Sequence, residues 1–447
     1  MFKLNFSKSS MDFFVIFSGR FFNGLLLIAA TRIYSTLLTD NEIGRLGVIL
    51  SSLFFFTSLV FFPIGSFINQ NILFWLKNNI WQKHLASYFF FISIIVLFGS
   101  ILLNFYVDSF LVLVAAIYLL GLCFNQTLIP ILNAMLYRKV FVSLTFLTTL
   151  FYIFLSYQFV TFGSPKAEFW LLGQSVSNIF FALFTIPALL FLTKQSFDFT
   201  PRAIKVNQIK NVLNFALPLL ITSLAGWLIL NLYKIIGGYV IGYEEIAVLI
   251  LCSVLSTGIF GAIESATIQL YHADFLQALL KSKNLDNRKT AFKKFFQKVM
   301  VTLTFFLGVI ILFAPIIIKV GLDQRFHEYV WLFIVFLFVD YFRNLNHVLS
   351  QFAFAEFKTK VLITGNIVGA FSSVIFIVFS ITSDNWIVYI PVSLILAYFL
   401  NILFQYRQLK INYGSISLLP SINNIIFILL MFLILIVNYF IFFRESL

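Results

Sequence analysis

Long apolar runs alternate with short polar segments over almost the whole chain, a pattern typical of repeated membrane crossings. A helix that spans a bilayer needs about 20 consecutive, predominantly apolar residues. Thirteen runs meet this requirement, so we predict an all-α, polytopic membrane helical bundle. The predicted spans lie at residues 11–38, 45–69, 85–104, 109–133, 141–162, 169–193, 212–241, 246–270, 299–319, 329–353, 361–382, 386–406 and 421–443.

The longer polar stretch at residues 194–211 divides the first twelve spans into two sets of six. We therefore predict an N-lobe over residues 1–193, a cytoplasmic linker over 194–211 and a C-lobe over 212–406. Residues 407–447 would carry one additional C-terminal span.

A short internal repeat supports this division. Gly24 precedes Arg32 by eight residues, and Gly226 precedes Lys234 by the same distance. Because six predicted spans intervene, both copies enter the membrane in the same direction. Parallel repeats of this kind occur in transporters that have two like halves.

Composition agrees with a membrane protein. The chain is 61% apolar and only 11% charged, whereas soluble proteins are about 25% charged. The first apolar run contains Asp12 and Arg20 and lacks a cleavage site of small residues, so we expect it to be a retained span and not a signal peptide. The two cysteines, Cys123 and Cys252, fall inside predicted spans, where we expect no disulfide, metal or cofactor.

The net charge of +13 reflects membrane topology and does not indicate nucleic-acid binding. With the N-terminus in the cytoplasm, most lysines and arginines lie in the predicted inner segments, and the outer segments collect acids instead. The positive-inside rule assigns this orientation. We therefore expect a multi-pass membrane protein with its N-terminus in the cytoplasm.

Four basic side chains lie inside predicted spans, and they are the first candidates for function. They are Arg20, Arg32, Lys234 and Arg343. A charge at the bilayer centre costs about 3 kcal/mol on insertion scales, so each is expected to face protein or water. This predicts an anionic cargo. The alternatives are ion pairs with acids of neighbouring helices, or side chains that extend to the headgroup region.

Further candidates accompany these cations. Asn23 shares the polar face of the first span with Arg20, and Trp227 lies well inside a span. Asp340 precedes Arg343 by three residues, which is the spacing of an intrahelical ion pair. The competing interpretation is that Asp340 is a protonatable carboxylate that couples transport to an ion gradient.

Signatures of enzymes are absent from the sequence. There is no Gly-Lys dipeptide and therefore no Walker A loop, and no Asp-x-Asp pair typical of nucleotide-sugar sites. The predicted outer loops are short, which disfavours a membrane-embedded polysaccharide polymerase or transferase. Transport remains the favoured class, and a non-enzymatic role is predicted.

Several segments resemble polysaccharide flippases of the Wzx type, in the MATE-like exporter superfamily known as MOP. The resemblance rests on Asn214 to Pro218, Trp227, Tyr233-Lys234, Gly237, Gly242-Tyr243, Arg32, Asp40 to Gly44, Gln351, Asn366 to Gly369 and Tyr406-Arg407. It covers nearly the whole chain. This chain has Tyr233-Lys234 where the family often has an acid-arginine pair, and thirteen predicted spans where twelve or fourteen are usual.

The resemblance implies a flippase that moves a polyprenyl-diphosphate-linked oligosaccharide to the outer leaflet by alternating access. Such proteins act with polysaccharide polymerases and glycosyltransferases in O-antigen, lipopolysaccharide or capsule biosynthesis. Arg20, Arg32 and Lys234 would hold the diphosphate or other acidic groups, with lesser contributions from Asn23, Trp227 and Arg343. The alternative within the same superfamily is an ion-coupled exporter of drugs or cations.

Overall fold

The structure is a computed structural model that describes residues 8–105, 108–194, 206–281, 284–356 and 358–414. Within these ranges the chain forms thirteen α-helices and no strand. The helices are α1 Lys8–Leu37, α2 Asp40–Phe56, α3 Phe62–Lys77, α4 Trp81–Leu103, α5 Ser109–Ala134, α6 Arg138–Phe162, α7 Ala167–Thr193, α8 Val206–Val240, α9 Tyr243–Lys281, α10 Leu285–Gly321, α11 Val330–Ala355, α12 Ile363–Ile381 and α13 Trp386–Tyr413.

Twelve stretches of the described residues are long and apolar enough to cross a membrane, which confirms the predicted all-α membrane bundle. The second span, Asp40–Ile68, contains a π-helical turn at Thr57–Phe61 between α2 and α3. Pro63 follows within the first turn of α3 and lacks an N–H for the regular helical ladder, which accounts for the local change. The thirteenth predicted span, residues 421–443, lies outside the described residues.

The chain folds into two compact units. The described residues of the first unit fall within 1–26, 33–227 and 242–247, and those of the second fall within 27–32, 228–241 and 248–447. The division between the units therefore falls inside α1, α8 and α9. The lobes predicted from the linker 194–211 stay a prediction.

Helices of the first unit approach closely where small residues face each other. Gly173 of α7 lies against the backbone of Ser156 in α6, where a Cβ atom would overlap the Ser156 nitrogen and Cα. The Ser156 hydroxyl donates a hydrogen bond to the Trp170 carbonyl, 2.8 Å away. In lipid the hydrophobic effect does not drive helices together. Close packing and interhelical hydrogen bonds such as these stabilise the contact between helices instead.

The beginning of α2 is held by charge and by close backbone contact. Arg45 forms ion pairs with Glu168 and, at 3.6 Å, with Glu42. The other oxygen of Glu42 accepts a hydrogen bond from the Ala167 backbone N–H at 2.8 Å. Gly44 lies against the Tyr243 carbonyl, and a Cβ atom at this position would overlap it. Only glycine therefore permits this approach between the beginnings of α2 and α9.

The second unit is stabilised by buried amides between α11, α12 and α13. Asn401 Nδ2 donates to Asn366 Oδ1 at 3.2 Å, and Gln405 Nε2 donates to the Ser350 hydroxyl at 2.8 Å. Gly365 of α12 leaves room for Gln405, whose Cβ lies 2.9 Å from the position that a Gly365 Cβ would take. These polar contacts are internal to the unit, as they must be in a hydrocarbon environment.

Much of the predicted cytoplasmic stretch at residues 271–298 is helical, as the end of α9 and the beginning of α10. Phe292, Phe295 and Phe296 are buried, and the Phe292 ring stacks on Phe352 with centroids 4.8 Å apart. Lys294 and Lys298 are exposed on the opposite side of the helix. The apolar face of this segment is therefore used for packing within the second unit.

The contact between α6 and α7 gives a prediction for stability. Replacing Gly173 with Ala should destabilise the protein by about 2 kcal/mol, because the added methyl group would overlap backbone atoms that cannot move aside. Thermal unfolding in detergent micelles would measure the change. Gly99→Ala in α4 is the matched control, because a Cβ there has no atom within 4 Å and should cause no loss. Equal stability of the two variants would contradict the proposed packing.

Candidate functional site

Polar residues of α11 follow one face of the helix. Asp340, Arg343, Asn344, His347 and Gln351 recur at i, i+3, i+4, i+7 and i+11, which places them on a single stripe. The stripe extends for about 16 Å along the helix at 1.5 Å per residue.

A second stripe with the same spacing lies on α9. Ser253, Ser256, Thr257 and Glu264 occupy positions i, i+3, i+4 and i+11. Ser256 and Thr257 bond to Asp340, and Glu264 bonds to His347 farther along both helices. The two helices therefore run parallel and in register. We call this arrangement of side chains the polar ladder, and it lies entirely in the second unit.

An ion pair surrounded by hydroxyl groups forms one end of the polar ladder. Arg343 NH1 lies 2.7 Å from Asp340 Oδ1. The Ser256 and Thr257 hydroxyls donate hydrogen bonds to the same carboxylate, and Thr257 Oγ1 also accepts one from Arg343 at 3.3 Å. Asp340 is almost fully buried, so these partners offset the cost of removing its charge from water.

Glu264, His347 and Gln351 form the other end. The Glu264 carboxylate contacts His347 Nδ1, and Gln351 Nε2 lies 3.0 Å from His347 Nε2. A carboxylate only accepts, so Nδ1 carries a proton and donates to Glu264, while Nε2 faces the Gln351 amide. The His347 side chain is 52% exposed, in contrast to the buried Asp340. This end of the polar ladder therefore presents polar atoms at an accessible surface.

Lys234 lies on α8 beside the charged end of the polar ladder. Its ammonium group donates to Asn231 Oδ1 at 3.3 Å and interacts electrostatically with Asp340 and Arg343. Among the side chains that the structure describes, no carboxylate lies within ion-pair distance of Lys234. The fold thus brings together three sequence-predicted candidates: Lys234, Asp340 and Arg343.

Arg20 and Asn23 occupy α1 in the first unit. The Arg20 guanidinium lies over the Phe141 ring, 5.4 Å from its centroid, and its Nε is buried without a hydrogen-bond partner. No carboxylate of the described side chains pairs with it. Asn23, three residues farther along, has a buried Oδ1 that also has no hydrogen-bond partner in the part of the chain that the structure describes. These two side chains thus have hydrogen-bonding capacity that the described residues leave unused.

Trp227 and Arg32 have different surroundings. The Trp227 indole N–H donates to the Ser51 carbonyl at 2.8 Å, and its ring packs edge to face on Phe55. It is buried, so packing within the first unit accounts for its position.

Arg32 belongs to the second unit and interacts electrostatically with Asp323, which lies outside the spans. Burial acts to raise the pKa of Asp323, but hydrogen bonds from Arg325 and the charges of Arg325 and Arg32 lower it below the usual value. A negative charge therefore persists near Arg32 at neutral pH.

Sequence reasoning identified α11 as polar but did not identify its partner stripe. The intrahelical spacing of Asp340 and Arg343 predicted their ion pair correctly. Ser256 and Thr257 were missed because single hydroxyl residues are common in membrane helices. The signal that could have revealed them is the spacing i, i+3, i+4 and i+11, which α9 shares with α11.

No protein-family model matches the chain, and no curated protein matches it in sequence. Solved structures do match. Lipid II flippase MurJ in an inward closed conformation is similar with a TM-score of 0.66 at 14% identity, over 97% of this chain and 99% of that chain. An inward-facing multidrug resistance MATE family transporter of the MOP superfamily matches with a TM-score of 0.61 at 13% identity, over 89% and 98%.

An outward-facing MATE family transporter of the same superfamily matches with a TM-score of 0.57 at 15% identity, over 90% of this chain and 97% of that chain. At these identities the likeness establishes the fold. The protein is thus a multi-pass membrane protein with the fold shared by MurJ and the MATE transporters.

The charged end of the polar ladder gives a second prediction for stability. Asp340→Asn should destabilise the protein by about 3 kcal/mol, because it leaves the Arg343 charge inside the membrane without its counter-charge. Unfolding in detergent would measure the loss.

A second substitution, Arg343→Met, should recover part of this loss in the double variant, since the two effects are coupled. Asp384→Asn, at an exposed acid between α12 and α13, is the control and should change stability by less than about 0.5 kcal/mol. Strictly additive effects of the two substitutions would contradict the ion pair.

Proposed function

We propose that this protein is a flippase that moves a polyprenyl-diphosphate-linked oligosaccharide from the cytoplasmic to the outer leaflet of a bacterial inner membrane. The observation that carries the proposal is that Arg20 and Lys234, both inside spans, have no carboxylate partner among the described side chains. A cation in hydrocarbon requires a counter-charge or water. An anionic cargo would supply the counter-charge during transport.

The chemistry of the two cations suits a diphosphate. A guanidinium presents five donors in a planar fork that matches phosphate oxygens, and at Arg20 the buried Nε donor is unused. A lysine ammonium contributes a compact charge with three donors. We propose that Arg20 and Lys234 each contact phosphate groups of the cargo during transport, with Asn23 and Arg32 in supporting roles.

The alternative is an ion-coupled exporter of drugs or cations; two of the similar solved structures are named as multidrug resistance transporters. Such cargo requires an available carboxylate. Asp340 is engaged by Arg343, Ser256 and Thr257, and Glu264 is engaged by His347. The engagement of these acids favours the anionic cargo. A coupling role for Asp340 would require Arg343 to leave it during the transport cycle.

We further propose that the flippase is of the Wzx type and serves O-antigen, lipopolysaccharide or capsule biosynthesis. The N-terminus would lie in the cytoplasm, and the partners would be glycosyltransferases that build the cargo and a polymerase that uses it. Residues that support this assignment include Asn214 to Pro218 in α8 and Gly242-Tyr243 just after it. Access to the cargo would alternate between the two sides of the membrane, without chemical change of the cargo.

Arg20 provides the test. In proteoliposomes that contain a fluorescent polyprenyl-diphosphate oligosaccharide, Arg20→Ala should slow transfer between leaflets about 10-fold or more, because a charge-assisted bond to phosphate is lost. Arg20→Lys should retain part of the rate, since it keeps the charge but loses the planar fork. In cells, Arg20→Ala should deplete surface polysaccharide and accumulate the precursor on the inner leaflet.

Lys319→Ala is the matched control, because Lys319 is an exposed cation in the last turn of α10. It should transport at the rate of the unchanged protein. Normal transfer by Arg20→Ala would argue against a phosphate contact. Active efflux of an organic cation such as ethidium, with no transfer of the lipid-linked glycan, would support the alternative function.

Lys234 allows an independent prediction. Lys234→Ala should weaken binding of bare polyprenyl diphosphate about 10-fold, because it removes one of the two proposed phosphate contacts. Binding can be measured with the purified protein in nanodiscs. Lys234→Arg should restore much of the affinity. If Lys234→Ala binds bare polyprenyl diphosphate as tightly as the unchanged protein, the diphosphate contacts other cations and not Lys234.

A further inference from the structure

We infer that the accessible end of the polar ladder, formed by Glu264, His347 and Gln351, is a binding subsite for the sugar hydroxyl groups of the cargo. This inference rests on the proposed function. It assigns a ligand to side chains that are distinct from the proposed phosphate contacts Arg20 and Lys234.

The exposure of these groups is the first argument. His347 is 52% exposed although its helix, α11, is one of the most deeply buried spans of the molecule. An imidazole flanked by a carboxylate and an amide cannot face acyl chains without leaving polar atoms unsatisfied. This end of the polar ladder therefore meets water or a polar ligand.

The hydrogen-bond pattern is the second argument. His347 uses Nδ1 to donate to Glu264, and its Nε2 faces the amide of Gln351. Gln351 retains its carbonyl oxygen and a second N–H, and Glu264 retains a second carboxylate oxygen. Donors and acceptors are thus interleaved on a surface held in place by their mutual bonds. A sugar hydroxyl, which donates one hydrogen bond and accepts others, fits such a surface.

The position along the polar ladder is the third argument. His347 is four residues and Gln351 eight residues beyond Arg343, or about 6 and 12 Å along the helix axis. Lys234 lies in electrostatic contact with Asp340 and Arg343 at the charged end. A diphosphate at Lys234 therefore leaves its attached sugars within reach of the three polar groups. The charged end of the polar ladder would then bind the diphosphate, and the accessible end would bind the sugar hydroxyl groups.

The test compares two probes on the purified full-length protein in nanodiscs. They are bare polyprenyl diphosphate and a panel of polyprenyl diphosphates that carry one to three hexose or N-acetylhexosamine units. The unchanged protein should bind at least one glycosylated carrier more tightly than the bare carrier. Gln351→Ala and Glu264→Gln should each weaken that binding about 10-fold, the usual effect of a lost hydrogen bond to a desolvated polar group. Neither should alter binding of the bare carrier.

Gln408→Ala in α13 is the control, because it removes a glutamine outside the polar ladder. His347→Gln separates hydrogen bonding from proton binding, since an amide keeps donors and acceptors but does not titrate. It should retain most of the preference for the glycosylated carrier.

Two outcomes would overturn the inference while the proposed function stands: no preference of the unchanged protein for any glycosylated carrier, or equal losses for both probes in Gln351→Ala. Failure of the unchanged protein to bind either probe would contradict the proposed function itself.

Discussion

The structure depends on one constraint: a polar group inside a hydrocarbon layer must find its partner within the protein. Asp340 satisfies this constraint with three partners. Arg343 neutralises its charge, and the Ser256 and Thr257 hydroxyls donate hydrogen bonds to its carboxylate oxygens. The buried amides of Asn366, Asn401 and Gln405 and the Ser350 hydroxyl make such hydrogen bonds between α11, α12 and α13. Because these bonds, and those from Ser256 and Thr257 of α9 to Asp340 of α11, join different helices, they also favour the packing of those helices against each other.

Against this background, the polar groups that remain unsatisfied become informative. Arg20 Nε and Asn23 Oδ1 are buried in α1 without a hydrogen-bond partner among the described residues, and the Lys234 ammonium bonds to an amide oxygen and lies 5.6 Å from the centroid of the Tyr233 ring. A protein that pairs Asp340 so completely has the means to pair these groups as well. Leaving them available costs stability, and this cost is expected where a transported ligand supplies the missing interactions. The same reasoning connects the exposed end of the polar ladder with the cargo.

The two ends of the polar ladder differ in a way that bears on transport. The ion pair of Asp340 and Arg343 lies within α11, and the Ser256 and Thr257 hydroxyls of the parallel helix α9 bond to its buried carboxylate. The Glu264, His347 and Gln351 end is more accessible and is held only by bonds among its own members. A ligand can exchange with such bonds at small cost, since each broken bond is replaced. We expect recognition of variable sugars to use this end, and positioning of charge to use the other.

The sequence by itself determined the membrane-spanning class, the existence of the described spans and the ion pair between Asp340 and Arg343, because hydropathy and helical spacing are local properties. It also identified the charged residues within the spans. The tertiary structure decided which of them have partners. Trp227, equally prominent in the sequence, packs on Phe55 and bonds to Ser51, whereas Lys234 lies beside Arg343. The sequence also did not indicate that α1 and α8 are divided between the two compact units. Contacts between helices far apart in the chain depend on packing, and no spacing within one helix specifies them.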